Sequence, residues 1–181
     1  MSARHRRTPR PGALNHMIVS VGYGQGDFGD TYEYGEYGDD NALADIVTLR
    51  VEVNLLVSSG FSIGIEGSVP LKPLNQAGYW SPFIIGLTNK LYFRDEELQP
   101  FLKAGAGLCY QNYRDLTCCL PRYGNISQER TLHFNLGGGV QIPVSSDLFL
   151  YSDLTCRYFS SKHEEPAINS LWTVNAGLGF Y

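Results

Sequence analysis

No stretch of this 181-residue chain stays apolar for the ~18 or more consecutive residues a transmembrane helix requires, which excludes helical membrane spans. Charge is scarce as well: Asp, Glu, Lys and Arg make up 18% of residues, below the ~25% of ordinary soluble domains. The net charge of -4 gives no reason to expect a nucleic-acid partner. The four cysteines, Cys109, Cys118, Cys119 and Cys156, have neither CxxC spacing nor a companion His pair, so a zinc centre is not indicated and no cofactor is expected. Cys118 and Cys119 are adjacent in a polar segment. In an oxidising compartment one of them fits a disulfide with a neighbour, and a free thiol fits equally.

No secretory leader is visible in the sequence either. Residues 1–16 are basic, with Arg4, His5, Arg6, Arg7 and Arg10 among Pro9 and Pro11. The apolar stretch of about 7 to 15 residues and the small-residue cleavage site that should follow are not there. Arg6-Arg7 is therefore no twin-arginine signal. Either a leader was lost from the start of this sequence, or the protein is not exported by a standard route. Residues 1–15 read as a disordered basic extension and 16–181 as one domain, long enough to bury a real core.

What is abundant is glycine, at 20, and tyrosine, at 12, in a pattern that alternates. The final eleven residues place apolar side chains at 172, 174, 176, 178 and 180, with Thr173, Asn175, Gly177 and Gly179 between them. Successive strand side chains point to opposite faces, so this segment has one wholly apolar face. Seven more segments repeat the pattern, with apolar rows at 17–23, 47–57, 61–69, 83–93, 102–110, 132–144 and 148–158. Each is near the ~9 to 11 residues that a tilted strand needs to cross a bilayer.

Connection lengths alternate too. Ser58-Ser59-Gly60, Arg94–Glu97 and Ser145–Asp147 are short, while 25–45, 70–81, 112–130 and 160–170 are long. Short turns on one side and long loops on the other describe an all-β, eight-stranded antiparallel up-and-down barrel with both termini on the short-turn side. An even strand count lets the first strand pair with the last and leaves no edges.

The second face of each strand tells which way the barrel turns. It is rich in Gly and carries few charges, unlike the water-facing side of a soluble barrel. On a lipid face, Arg or Lys at the midplane costs ~2 to 4 kcal/mol, so the charged face must turn inward and the barrel reads as transmembrane. Eight strands enclose only enough room for side chains. Arg50, Lys90, Lys103 and Arg157 are thus expected to meet Glu52, Glu66 and Asp153 in a near-neutral plug of ion pairs, with one or two of them solvated near the rims.

At this point the chain resembles the small eight-stranded outer-membrane barrels of Gram-negative bacteria, the OmpA/OmpX-like and opacity-porin-like superfamily. The likeness rests on residues 98–107 (LQPFLKAGAG), 132–144 (LHFNLGGGVQIPV), 147–159 (DLFLYSDLTCRYF) and the closing strand. It implies a bacterial cell outer membrane location, outer-membrane lipid as surroundings, and recognition of the C-terminal strand by the barrel-assembly machinery. Phe180 is in the apolar register for that recognition, whereas Tyr181 lies one place beyond it.

Chemistry finds little purchase. Some small barrels are lipid A-modifying enzymes, but His133 falls on the polar face with Asn135 two residues on, and His163 lies in a Pro-containing loop; no catalytic residue is assigned. The most distinctive loop holds Asp27, Asp30, Glu33, Glu36, Asp39 and Asp40 among several tyrosines. Its carboxylates could hold a divalent cation, although EF-hand spacing is absent. Solvation fits them as well, and the tyrosines offer contact area for an extracellular ligand or host surface. Asn125-Ile126-Ser127 matches a glycosylation sequon, which in a bacterial protein is usually chance. The leading reading is an outer-membrane barrel with a structural or surface-interaction role; its rivals are a narrow porin-like channel and a soluble lipid-binding barrel with apolar faces inward.

Overall fold

The computed structural model describes residues 16–27, 43–58, 60–73, 79–93, 98–114, 126–160 and 170–181. They form eight strands: β1 (His16–Asp27), β2 (Leu43–Val57), β3 (Phe61–Pro73), β4 (Tyr79–Tyr92), β5 (Gln99–Arg114), β6 (Ile126–Pro143), β7 (Leu148–Ser160) and β8 (Ser170–Phe180). Each pairs antiparallel with the next, and β8 returns to β1 with Met17 opposite Phe180 and Val19 opposite Leu178. The sheet is closed and has no edge strand.

Small polar residues shape the short-turn end. The Ser58 N–H donates to the Phe61 carbonyl at 2.7 Å, and Val144 and Ser145 both donate to Leu148 O, at 2.9 and 3.0 Å. The same end holds the C-terminus, where the Tyr181 N–H donates to Asp147 O at 3.2 Å. The basic extension at 1–15 and most of the four long connections, including residues 28–42, 115–125 and 161–169, lie outside the described residues.

The alternation resolves as an apolar outside and a polar inside. Along β6, Leu132, Phe134 and Leu136 are 56, 57 and 61% exposed, while His133 and Asn135 between them are buried. Aromatics ring both margins of the outer belt: Tyr23, Phe83, Tyr110, Phe134, Tyr158 and Trp172 toward the long connections, and Phe61, Phe93 and Phe180 toward the turns. Such girdles mark the two interfaces of a transmembrane barrel. A soluble lipid carrier needs the opposite facing, so that rival falls.

Three expectations need correction. The strands outrun the apolar rows: β5 and β6 stay paired up to Arg114 opposite Ile126, within the span assigned to a loop. At about 3.4 Å per residue and a tilt of about 40°, the 18 residues of β6 rise about 45 Å, well past a lipid band about 25 Å tall. Above that band neither face need be apolar, so residues such as Gln111, Asn112, Gln128 and Glu129 carry no alternation to read. Next, a register shift between Asn54 and Leu56 breaks the alternation of β2, leaving both Leu55 and Leu56 exposed and setting Val57 opposite inward Ser62. A bulge that adds one residue does this to the rows beyond it. Finally, Cys156 holds its place on the outer row but is only 5% exposed, since bulky Leu136 and Trp172 pair on either side.

Small barrels curve sharply, so inward Cβ atoms crowd one another. Gly107 shows the consequence: a Cβ there would run into the Ile85 carbonyl, the Gly86 Cα and the His133 ring. Gly86 pairs with Gly107 directly, and their joint lack of side chains lets β4 and β5 bend there.

Candidate functional site: the barrel lumen

The inward side chains stack in three layers. At the short-turn end Ile18, Phe101, Phe149 and Tyr151 form a buried cluster, with Tyr92 and Tyr181 packed against it. At the long-loop end Ile46, Ile84, Cys109, Phe159 and Leu171 form a second one. The charged residues lie between. Sequence reasoning treated the inward rows as polar and missed both apolar clusters. A signal was available: Ile18, Ile46, Ile84, Phe149 and Phe159 each break the polar row within a few residues of a strand end.

The structure brings all seven predicted ionic residues into the middle layer. Arg50 Nη1 lies 2.8 Å from Asp153 Oδ2, and Lys90 Nζ 2.5 Å from Glu52 Oε1. The Lys90 contact is close without being aligned as a hydrogen bond. Glu66 sits at a crossing point: Lys103 Nζ donates to Oε2 at 2.5 Å, while Arg157 Nη2 and Asn135 Nδ2 donate to Oε1 at 3.3 and 3.0 Å. Lys103 has two further carboxylates in range, Glu52 at 3.9 Å and Asp153 at 3.8 Å. None of the seven is more than 2% exposed, so the expectation of one or two solvated at the rims does not hold. The apolar clusters stand between these groups and the two openings.

Neutral donors and aromatic faces complete the layer. Asn175 Nδ2 donates to Asp153 Oδ1 at 2.6 Å, and the Tyr151 hydroxyl donates to Asp153 Oδ2 at 2.5 Å. The Lys90 ammonium lies 4.6 Å from the Tyr151 ring centre and 5.1 Å from that of Phe101, where the ring quadrupoles favour a cation. Buried charges persist only when paired and hydrogen-bonded, and removing one partner of such a pair costs ~3 to 5 kcal/mol. The layer is therefore strongly coupled to the folded state.

Tyr181, out of register by the sequence pattern, continues the alternation one step further and turns inward. Its ring centre lies 4.9 Å from those of His16 and Phe149. Burial against this floor pushes its phenol above the ordinary tyrosine range. His133 is fully buried at the upper side, its ring 6.2 Å from that of Phe159, and neither ring nitrogen has a hydrogen-bond partner among the described residues. Among the described residues it thus has neither the hydroxyl nor the acid that a Ser-His-acid arrangement would set beside it. No cluster of His, Cys, Asp or Glu among the described residues has metal-binding geometry. Asp27 ends β1, and Asp30, Glu33, Glu36, Asp39 and Asp40 lie outside the described residues, as do Cys118, Cys119 and His163.

No known family's sequence pattern matches this chain, and no curated protein matches it in sequence. Solved structures do match. Neisserial surface protein A superposes with a TM-score of 0.70 at 12% identity, covering 92% of this chain and 96% of that one. Outer membrane protein AlkL, solved in lipid bilayers, gives 0.56 at 15% identity over 99% and 96%. The N-terminal β-barrel domain of Pseudomonas aeruginosa OprF gives 0.55 at 13% over 91% and 96%. At such identities the likeness is one of fold.

Proposed function

We propose that this chain, whose fold is that of the small eight-stranded outer-membrane barrels, works in a bacterial outer membrane as a closed barrel. In this reading it stabilises the envelope and presents its long loops to the outside. The observation that carries it is the layered lumen, in which a fully buried ionic layer lies between two apolar clusters. A barrel filled in this way supports attachment and presentation better than transport. The acidic, tyrosine-rich stretch from Asp27 to Asp40 is the loop we assign to contact with an extracellular ligand or host surface.

Planar-bilayer recording tests the closed state. The refolded chain should show no sustained conductance, and a steady current that changes on Lys103→Ala would overturn the reading. An epitope inserted at Gly35 should be detected on intact cells, and detection only after lysis would refute the loop assignment. Assembly has its own test: Phe180→Ala should lower the amount of barrel inserted in cells while leaving refolding into detergent unchanged. Loss in both settings would mean that Phe180 matters to stability and not to recognition by the assembly machinery.

One observation favours the narrow channel as a second reading. Lys103 has three carboxylates within 4 Å, so it has alternative partners inside the lumen. Exchange among them could open a path only if the floor or roof cluster moved as well.

A further inference from the structure

The ionic layer does not balance. Among the described residues Arg50, Lys90, Lys103 and Arg157 face Glu52, Glu66 and Asp153, four cations against three anions, and all seven are buried. A surplus positive charge in a space shut off by apolar clusters carries a large desolvation penalty unless a counter-charge accompanies it. Arg50 shows where donors are spare. Its Nη1 is taken by Asp153 and its guanidinium carbon lies 5.2 Å from the Tyr151 ring centre, yet Nε and Nη2 have no partner among the described residues although the residue is 1% exposed.

Nε and Nη2 form the side-on edge of a guanidinium, the fork that grips an anion with two parallel N–H donors. The residue opposite Arg50 on β1 is Ser20, also 1% exposed, and its hydroxyl has no partner among the described residues either. Opposite on β3 is Ser68, so both strand neighbours at this level carry short hydroxyl side chains, while Asn175 and Thr48 fill the space above Gly22. Arg50 and Ser20 thus face the lumen at the same level of the wall, and neither bonds to the other.

We propose that the lumen holds one small monovalent anion, of halide size, gripped by the Nε–Nη2 edge of Arg50 and the Ser20 hydroxyl, as the counter-charge to the fourth cation. The site depends on the enclosed lumen described above but not on what the loops do. A conducting barrel would exchange this ion with the bath, whereas a closed one retains it.

The test uses the full chain refolded in detergent micelles with sodium chloride, sodium bromide or sodium gluconate at matched ionic strength. One stabilising ion makes the unfolding equilibrium constant fall with halide, by up to about tenfold per tenfold chloride, because binding shifts the equilibrium by mass action. Gluconate, too large for the site, should give no such slope. Crystals grown from bromide should show an anomalous peak beside Arg50 Nε and Nη2. Ser20→Ala should weaken the halide slope, and Lys90→Met, which takes one cation out of the layer and leaves Arg50 and Ser20 in place, should reduce it as well. Equal stability in chloride and gluconate, or bromide crystals with no peak at Arg50, would overturn the proposal. Should Lys90→Met fail to fold, the wild-type slope and the bromide map decide alone.

Discussion

Glu66→Gln tests how dry the lumen is. The Glu66 carboxylate accepts from Lys103 at 2.5 Å, Asn135 at 3.0 Å and Arg157 at 3.3 Å, and it is fully buried. The amide keeps the shape and removes the charge, so two cations lose their nearest counter-charge and the excess of cations over anions grows from one to two. In a water-poor interior such a loss costs ~3 to 5 kcal/mol, which is more than a hundredfold in the folding constant at about 1.4 kcal/mol per tenfold. In a water-filled lumen the same pair would behave like an exposed one, worth about 0 to 1 kcal/mol. Urea-driven unfolding in lipid vesicles, followed by tryptophan emission, separates the two cases. Removing Lys103 along with the charge, as Glu66→Gln with Lys103→Met, returns the excess to one. It should recover part of the loss, since Lys103 is the closest of the stranded partners. A single-mutant cost below about 1 kcal/mol, or a double mutant as costly as the two single changes added together, would refute the sealed, coupled plug.

Other perturbations address the facing, the curvature and the floor. Leu136→Arg should cost ~2 to 4 kcal/mol in the same vesicle assay, because this outward side chain lies about 5 Å along the barrel axis from the middle of the β6 apolar row. Asn135→Ser, facing inward one residue away, should cost about 1.5 to 3 kcal/mol for the hydrogen bond lost to the Glu66 carboxylate; a Leu136→Arg cost below about 1 kcal/mol would mean that the register is wrong. Gly107→Val should prevent closure, seen as loss of the compact band on unheated gels, since its side chain meets the Ile85 carbonyl and the Gly86 backbone; a normal folded band would contradict the curvature argument. Phe149→Ala should cost ~3 to 5 kcal/mol as a buried aromatic truncation, and bilayer recordings should then show the first leakage from the turn side. A stability change below about 1 kcal/mol would show that Phe149 does not help to close the floor.

The fold was legible in the chain because a strand's period of two is a local property. Leu132, Phe134 and Leu136 against His133, Asn135 and Gly137 declare two faces without reference to any other part of the molecule. The scarcity of charge on the second face, the short turns such as Ser145–Asp147 and the even strand count then led to a closed barrel with its apolar side out. The seven ionic residues were legible for a related reason: lipid excludes charge, so Arg50, Lys103 and Asp153 had one direction available. What stayed hidden depends on neighbours in space. The bulge at Asn54 changes two outward leucines without changing the local pattern, and the upper parts of β5 and β6 have no lipid to impose alternation. Tyr181 reads as a residue out of place until the floor it packs against is known. Only the tertiary structure decided that Glu66 would hold both Lys103 and Arg157 and that apolar clusters would close each end. It also left one edge of Arg50 without a partner among the described residues, because pairing across a lumen depends on the heights at which eight tilted strands bring their side chains together.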